Sequence, residues 1–270
     1  MPLSVLTLNL WNTSGPYERR QELIRGWIER LQPDVIGFQE ALRGASFDQM
    51  VELVDGFGYP FGAYAPAVPF WEDERLEFGN AVASRWPLAV AGSCPLPDAG
   101  DEEHRVALST LIEAPFGLVP FTCTHLNWKL HHGWVRERQV VALAEIARRY
   151  RTQTDFPPVL VGDFNAEPDS AEIRYLTGLQ SLEGRSVHFR DAFRLRGEGE
   201  PATWSNRNAY ARTALEPDRR IDYIFCGPPR RDGVGLVEEC RVVCNEAEDG
   251  VWPSDHFGVF ARLRSEPLDP

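Results

Sequence analysis

Side chains that could bind a metal ion or move a proton lie at the ends of short apolar segments of this sequence. They are Asn9, Glu40, His125, Asp163, Asn165, Asp222, Asp255 and His256. Carboxylate oxygens are the ligands that Mg²⁺ prefers, and histidine can transfer protons near neutral pH. No Cys/His group has zinc-ligand spacing. Because ligands gather at strand ends in sheet proteins, the pattern predicts one shared site.

Most of these residues also have an ordinary structural interpretation when each is taken alone. Asp163 and Asn165 fit an Asx turn that starts the next helix. His125 fits a hydrogen-bonded histidine of the core, while Glu40 and the final Asp-His pair fit polar loop positions. Only the combination of acidic oxygens, amides and histidines favours a functional site.

Asp222 is the most informative single residue, because it lies within an apolar run. If residues 221–225 form a strand, Asp222 and Ile224 share one face. A carboxylate on a buried face needs a metal, a histidine or an arginine as partner. Arg220 is a poor candidate because it would point to the opposite face. The alternative is an edge strand with Asp222 facing water.

Apolar runs and helical periodicity predict the elements that must position these residues. Strands are expected at residues 5–10, 35–38, 81–84, 106–112, 119–126, 158–161, 221–225, 238–243 and 257–263. Helices are expected at residues 18–31, 46–54, 134–150 and 169–178. The segment 56–71, rich in proline, glycine and aromatic residues, is expected to be a loop. Several strands follow one another without a helix, which favours two mixed sheets packed together and covered by helices.

The bulk composition limits the class of protein. The 270 residues, 43% of them hydrophobic, are enough for one domain spanning 1–270. The net charge of −12 disfavours a nonspecific nucleic-acid binder, although bound divalent cations could supply local positive charge. Five cysteines without a CxxC pair predict reduced core thiols. We expect a cytoplasmic protein without a signal peptide, a membrane span or an evident protein partner.

The order of several short motifs resembles that of the endonuclease/exonuclease/phosphatase superfamily, the deoxyribonuclease-I-like fold. The matching segments are Thr-Leu-Asn-Leu-Trp-Asn (7–12), Gly-Phe-Gln-Glu (37–40), Gly-Asn-Ala-Val-Ala-Ser-Arg (79–85), Thr-His-Leu (124–126), Gly-Asp-Phe-Asn (162–165), Arg-Ile-Asp-Tyr-Ile (220–224) and Ser-Asp-His (254–256). Together they cover essentially the whole chain. The resemblance implies an α/β protein of the α+β type, a four-layer α/β/β/α sandwich of two mixed, mainly antiparallel sheets flanked by helices.

The resemblance also implies a metal-dependent phosphoesterase. Glu40 would be the central metal ligand, with Asn9 beside it, and Asp255 would hold the metal or a metal-bound water. The cofactor would be one or two Mg²⁺ or Mn²⁺ ions. The reaction would be hydrolysis of a phosphate ester by in-line attack of an activated water.

Catalytic roles follow from the same resemblance. Asp163 would orient or deprotonate the attacking water, and Asn165 would hydrogen-bond a phosphate oxygen. His256 would contact the phosphate while Asp222 fixes its ring. His125 would stabilise developing charge or help to protonate the leaving oxygen.

Residues near these positions are candidates for contact with the substrate. They are Trp128, Lys129, Trp134, Arg105 and Glu77. The tryptophans follow His125 and could stack on a base or cover a lipid or sugar group. Lys129 could meet extra phosphate. The resemblance implies that Glu77 could pair with His125, and the alternative is a solvated loop glutamate. The acidic loop at residues 98–103 is expected to be solvated.

The favoured substrate is a phosphodiester of a small-molecule, lipid-like or nucleotide compound. A DNA or RNA nuclease is the alternative, although the charge does not favour nucleic acid as a partner. An inositol-phosphate-like phosphomonoesterase is a third interpretation. A non-catalytic binding scaffold with the same fold is a fourth, which the filled motif positions argue against.

Overall fold

The computed structural model describes residues 2–150 and 153–268, in which two β-sheets pack together with helices on their outer faces. The strands, numbered along the chain, are β1 (Leu3–Asn9), β2 (Val35–Gly44), β3 (Phe61–Pro69), β4 (Leu76–Ser84), β5 (Leu88–Pro95), β6 (Val106–Ala114), β7 (Gly117–His125), β8 (Val159–Asp163), β9 (Arg190–Asp191), β10 (Gly197–Glu198), β11 (Asp222–Cys226), β12 (Val237–Val243) and β13 (Gly258–Leu263). The helices are α1 (Tyr17–Leu31), α2 (Gln49–Val54), α3 (Gly133–Arg148), α4 (Ala171–Leu176) and α5 (Ala192–Arg196), with a 3₁₀ helix at Ala211–Ala214.

Both sheets are mixed. The first has the strand order β10-β12-β13-β1-β2-β4-β3, and the second has the order β5-β6-β7-β8-β11-β9. The pairs β1–β2, β10–β12 and β7–β8 are parallel, and the other neighbouring pairs are antiparallel. The expectation of two mixed, mainly antiparallel sheets is therefore confirmed.

The alternation of side chains along each strand divides the core into layers. One apolar cluster fills the space between the sheets and includes Val5, Val35, Phe121, Val161 and Ile224. A second joins the outer face of the first sheet to α1 and α2, and a third joins the outer face of the second sheet to α3 and α4. These clusters complete the four-layer α/β/β/α sandwich that the motifs implied.

Two edge strands depart from the sequence-based expectation. β3 lies within the segment 56–71, so the expectation of a loop there is wrong, and β5 lies where no element was expected. Both strands are largely exposed and lie at sheet edges, where the apolar alternation is weak. The β3–β4 register also shifts between Pro66 and Val68. Proline is tolerated in strands at such edges and bulges.

The cysteines are free thiols, and four of the five are buried, as expected. Burial raises the pKa of Cys123, Cys226 and Cys244 to about 12, so these thiols stay protonated near neutral pH. Within residues 2–150 and 153–268, no helix has the length and apolar character needed to cross a membrane.

Candidate functional site

Strand ends from both sheets meet at one end of the sandwich. In the second sheet, β7 and β8 are parallel, and their register sets His125 beside Asp163. β11 is antiparallel to β8 and begins at the same edge, with Asp222 beside Asp163. In the first sheet, the parallel strands β1 and β2 run toward this end, where the antiparallel β13 begins. The residues gathered there are Asn9, Glu40, His125, Asp163, Asn165, Asp222, Asp255 and His256.

Asp163 links the two sheets and is 1% exposed. Its Oδ2 accepts a hydrogen bond from the Asn9 amide at 3.0 Å and lies 3.3 Å from Nε2 of His125. Its Oδ1 accepts the backbone N–H of Asn165 at 2.9 Å, which fixes the orientation of the carboxylate. Burial raises the pKa of Asp163 to about 6, although the charge of His256 opposes the shift. A carboxylate held in this way can orient a water molecule or accept its proton.

His256 and Asp222 form a buried hydrogen-bonded pair. Nδ1 of His256 lies 2.9 Å from Oδ2 of Asp222, and Trp204 packs edge-on against the imidazole with ring centroids 5.0 Å apart. Burial alone would lower the pKa of His256, but the carboxylates of Asp222 and Asp163 raise it well above its usual range. A protonated imidazole held by Asp222 keeps Nε2–H as a donor for an oxyanion.

A bulge in β2 directs Glu40 into the cluster. The register between β2 and β4 shifts between Phe38 and Ala41, and Glu40 adopts a left-handed backbone conformation with φ 55°. Bulges re-aim side chains, and strained backbone of this kind concentrates at functional sites. The strand continues to Gly44, so the expectation that Glu40 lies at its end is wrong.

The oxygens around Glu40 suit a hard divalent cation. The amides of Asn9 and Asn12 donate to its two carboxylate oxygens, each at 3.2 Å, and Asp255 lines the same cleft. Burial raises the pKa of Glu40, and it raises the pKa of Asp255 to about 6, with Glu40 adding to the second shift. Neighbouring carboxylates repel each other unless a cation lies between them. The carboxylate oxygens of Glu40 and Asp255 fit the coordination preference of such a cation, whereas the amide oxygens of Asn9 and Asn12 accept backbone N–H groups of their own loop.

A second group with metal-ligand geometry consists of Asp163, Asp222 and His256. Their ligand atoms all lie within 4.8 Å of one another, and Oδ1 of Asp222 has no hydrogen-bond partner within the described part of the chain. A histidine must be neutral to bind a metal, whereas the raised pKa of His256 favours its protonated form. In the absence of an ion, this group therefore suits proton transfer and oxyanion binding.

His125 has a different environment from His256. An N–H of the Arg105 guanidinium donates to Nδ1 of His125 at 2.9 Å, and the amide nitrogen of Asn165 lies 3.1 Å from Nε2. Burial, reinforced by the charge of Arg105, lowers the pKa of His125 well below its usual range. Because a guanidinium can only donate, the neutral ring carries its proton on Nε2, which faces Oδ2 of Asp163 at 3.3 Å, and the Asn165 amide donates to the Leu126 carbonyl at 3.2 Å.

Glu77 does not pair with His125, and the alternative of a solvated glutamate is confirmed. Glu77 is exposed, and the next residue, Phe78, faces His125 with ring centroids 6.4 Å apart. Adjacent residues of a strand point to opposite faces, so Glu77 points away from the site. The Arg105 guanidinium, and not Glu77, forms the hydrogen bond to Nδ1 of His125.

The cluster opens into a cleft of about 680 Å³. Four tryptophans line it: Trp11, Trp71, Trp128 and Trp204. Of the residues expected to contact substrate, Trp128 and Arg105 line the cleft, whereas Lys129, Trp134 and Glu77 do not belong to its lining. Lys129 instead donates to Asp101 at 2.6 Å, and Trp134 packs near His132 with ring centroids 6.1 Å apart.

The acidic loop after β5 is not simply solvated, so that expectation is wrong. Glu102 and Glu103 line the cleft. Glu103 forms an ion pair with Arg105 and accepts a hydrogen bond from the indole N–H of Trp128 at 2.9 Å.

Two residues of the site were not singled out from the sequence. Asn12 lies in the first matching motif, but its contact with Glu40 required knowledge of the loop geometry. Arg20 is fully buried, and its guanidinium donates to the carbonyls of Leu10, Trp11, Asn12, Ser14 and Pro253. The available signal was its position on the apolar stripe of α1, three and four residues before Leu23 and Ile24.

Known proteins provide an independent comparison. Human Nocturnin is 24% identical over 261 residues, covering 90% of this chain and 57% of its own length, so this chain spans little more than half of that relative. A solved endonuclease/exonuclease/phosphatase from Beutenbergia cavernae DSM 12333 is 25% identical, with a TM-score of 0.72 over 97% of this chain and 71% of that one.

Two further solved structures share the fold at lower identity. The human Nocturnin catalytic domain with bound sulfate anion is 21% identical, with a TM-score of 0.72 over 97% of this chain and 93% of that chain. TDP2 of D. rerio, complexed with single strand DNA product, is 19% identical, with a TM-score of 0.74 over 97% and 99%. The model of the Endonuclease/Exonuclease/phosphatase family matches residues 6–256, which is nearly the whole chain. The chain therefore belongs to the endonuclease/exonuclease/phosphatase family.

Proposed function

We propose that this protein is a divalent-cation-dependent phosphodiesterase whose substrate has compact organic groups. The observation that carries the proposal is the convergence of Glu40, Asp163 and Asp255 with the His256–Asp222 pair in one cleft. Hydrolysis of a phosphate ester by in-line attack needs positioning and charge neutralisation more than covalent chemistry. This set of side chains supplies both.

We assign the cation to the carboxylate oxygens of Glu40 and Asp255, with Asn9 beside them, and we propose Mg²⁺ or Mn²⁺. Both ions favour carboxylate and carbonyl oxygen over thiolate or imidazole. When bound, the ion would polarise the phosphoryl oxygen and neutralise developing charge.

Asp163 is assigned to the attacking water. Its Oδ2 already accepts the Asn9 amide and lies beside both histidines, so its remaining lone pairs define where a water molecule can be held. The raised pKa of about 6 leaves the carboxylate basic enough to accept a proton as the water attacks.

Three side chains are assigned to the oxygens of the phosphate. His256 would donate from Nε2 while Asp222 holds the other ring nitrogen, and the Asn165 amide would donate beside it. Neutral His125, with Arg105 on Nδ1, would donate from Nε2 to the charge that develops on the reacting or leaving oxygen. Preorganised donors of this kind commonly contribute about 10²–10³-fold each to the rate.

The charge of the cleft favours a compact substrate over a long nucleic acid. Its lining includes Glu72 and Glu102, outside both the proposed metal ligands and the arginine–glutamate ion pairs, and these carboxylates would repel a polyanion. The tryptophan side chains offer apolar faces for an organic group. The family relative with bound sulfate supports recognition of a single oxyanion.

A nuclease is the second candidate, because the D. rerio relative holds a single strand DNA product. The discriminating experiment compares bis(p-nitrophenyl) phosphate, sphingomyelin, phosphoinositides and nucleotides with a supercoiled-plasmid nicking assay, using Mg²⁺ or Mn²⁺. We expect turnover of a small diester and weak or absent nicking. Efficient nicking without small-diester hydrolysis would support the nuclease, and release of free phosphate from a monoester would indicate a phosphomonoesterase.

A further inference from the structure

Residues 97–104 form a loop between β5 and β6 that we call the acidic flap. Its base is closed by a hydrogen bond from the Leu96 N–H to the Arg105 carbonyl at 2.9 Å. Inside the loop, Nδ1 of His104 lies 3.0 Å from Oδ2 of Asp98. The flap is thus a folded loop with defined contacts, and its residues Glu102, Glu103 and His104 line the cleft.

Two adjacent residues of the β7–α3 loop bind the acidic flap. The indole N–H of Trp128 donates to Oε2 of Glu103 at 2.9 Å, and Nζ of Lys129 donates to Oδ2 of Asp101 at 2.6 Å. Lys129 is the only lysine in the sequence. These contacts hold Trp128, which is 55% exposed, over the mouth of the cleft.

Glu103 is a bridge between the substrate cleft and the catalytic cluster. One oxygen accepts from Trp128, and the other forms the ion pair with Arg105, whose guanidinium also donates to His125. The side chain of Arg105 is only 7% exposed, and its Nε has no partner within the described part of the chain. The positive charge nearest to His125 is therefore neutralised by a carboxylate of the cleft wall.

A second arginine of the cleft lining is also paired with a glutamate. Among the described lining residues, the guanidinium groups are those of Arg105 and Arg219, and Arg219 is paired with Glu216. Both partner carboxylates also line the cleft. No arginine of the lining is thus available, without breaking an ion pair, to bind additional phosphates of an extended substrate.

We propose that Glu103 is a specificity-determining residue, which neutralises Arg105 and fixes Trp128 so that the cleft selects compact, uncharged organic groups over polyanionic chains. This inference rests on the proposed function. Removing the Glu103 charge would release Arg105 toward added phosphates and loosen Trp128, and both effects favour a polyanion. The guanidinium would keep its hydrogen bond to His125, and its positive charge, no longer neutralised, would attract the phosphates of a polyanion.

The test compares two diester substrates, bis(p-nitrophenyl) phosphate and a short single-stranded oligodeoxynucleotide, at fixed Mg²⁺ and low ionic strength. The measured quantity is the ratio of kcat/KM for the oligonucleotide to kcat/KM for the small diester. We expect Glu103→Gln to raise this ratio about tenfold, at the lower end of electrostatic effects on association. We expect Trp128→Phe, which keeps an aromatic ring but removes the indole donor and part of the ring surface, to raise the ratio by a smaller factor.

Two control variants separate the loss of the Glu103 contacts with Arg105 and Trp128 from the loss of one negative charge. Glu102→Gln removes one charge from the same flap, although Glu102 contacts neither Arg105 nor Trp128 by a described hydrogen bond, so a shift of less than half that of Glu103→Gln is expected. Glu113→Gln removes an exposed charge near the far end of β6, and the wild-type ratio is expected.

An unchanged ratio in Glu103→Gln, or an equal shift in Glu102→Gln and Glu103→Gln, would overturn the inference while leaving the proposed function intact. A wild-type protein that hydrolyses neither substrate with Mg²⁺ or Mn²⁺ would overturn both. Far-ultraviolet circular dichroism of each variant verifies that the fold is retained, and Trp128→Phe keeps the test decisive if Glu103→Gln does not fold.

Discussion

Asp163 contacts residues from both sheets at the site. It receives the Asn9 amide from the first sheet and lies between His125 and His256. Replacing its carboxylate by an amide keeps the shape but removes the negative charge and the basic oxygen. This replacement should therefore lower the rate of turnover without lowering the stability of the fold.

We predict that Asp163→Asn lowers kcat/KM for a small phosphodiester by roughly 10²–10⁴-fold, the usual contribution of a positioned general base. The thermal unfolding midpoint should stay at or above that of the wild type, because a neutral amide relieves the cost of burying the carboxylate among other acids. Steady-state kinetics with Mg²⁺ and a thermal melt measure the two quantities. Wild-type turnover in this variant would remove Asp163 from the chemistry.

For individual residues, the sequence predicted which side chains form the site better than it predicted which side chains contact one another. The Asp222–His256 contact was expected from the family resemblance, and the two side chains lie 2.9 Å apart. Glu77 does not pair with His125, because it lies on the opposite face of β4 from Phe78, which faces the imidazole.

The pairing of β7 with β8, which places His125 beside Asp163, requires glycine at position 162. Gly162 in β8 has φ 148°, and a Cβ at this position would lie 1.9 Å from the carbonyl oxygen of Thr124 on β7. This close approach keeps β7 and β8 in the register that sets His125 beside Asp163. Glycine is required here by both space and backbone conformation.

We predict that Gly162→Ala lowers the free energy of unfolding by roughly 3 kcal/mol, because the clash is with backbone and cannot be relieved by a rotamer change. Gly26→Ala in α1 is the matched control. Its Cβ would meet nothing within 4 Å, and alanine should stabilise the helix by about 0.5–1 kcal/mol. Urea denaturation measures both values, and equal stabilities of the two variants would refute the steric argument.

Helix α1 contributes Arg20, which joins the β1–α1 loop to the segment before His256. Its guanidinium binds the carbonyls of that loop and the carbonyl of Pro253. We predict that Arg20→Met lowers the free energy of unfolding by roughly 3–5 kcal/mol, because the buried carbonyls lose a shared donor. The measurement is again urea denaturation.

Arg19→Met on the same helix is the control for Arg20. Arg19 is exposed and pairs with Glu22 and Glu248 at the surface, where ion pairs contribute little. Its replacement should leave the unfolding curve nearly unchanged. If both variants lost equal stability, the buried carbonyl network would not explain the role of Arg20.

Element prediction succeeded where burial is two-sided and failed at the edges. The central strands β1, β7, β8 and β13 read as apolar runs because both of their faces are covered. The edge strands β3 and β5 expose much of their surface. Their sequences therefore lack the apolar runs or alternation from which a buried strand can be predicted. The acidic flap had no predictive signal beyond its charge, since its partners lie on another loop.

For the whole molecule, the order of motifs predicted the architecture because each motif marks one strand end. The two ends of the chain meet in the pairing of β1 with β13, which places the first and last motifs in one site. The single domain over residues 1–270 and the cytoplasmic location stay predictions. The substrate could not be read from the sequence, because the cleft wall is built by loops whose contacts are tertiary.

Metal binding should stabilise the entire fold, because the proposed ligands come from distant parts of the chain and the unfolded state cannot assemble them. At a free Mg²⁺ or Mn²⁺ concentration about 100 times the dissociation constant, one site adds about 2.7 kcal/mol to the free energy of unfolding. We therefore predict that either ion raises the thermal midpoint and restores activity after EDTA treatment. Glu40→Gln should abolish most of both effects, because it removes a charge from the proposed site. A midpoint and an activity that are unchanged by thorough chelation would contradict the metal assignment.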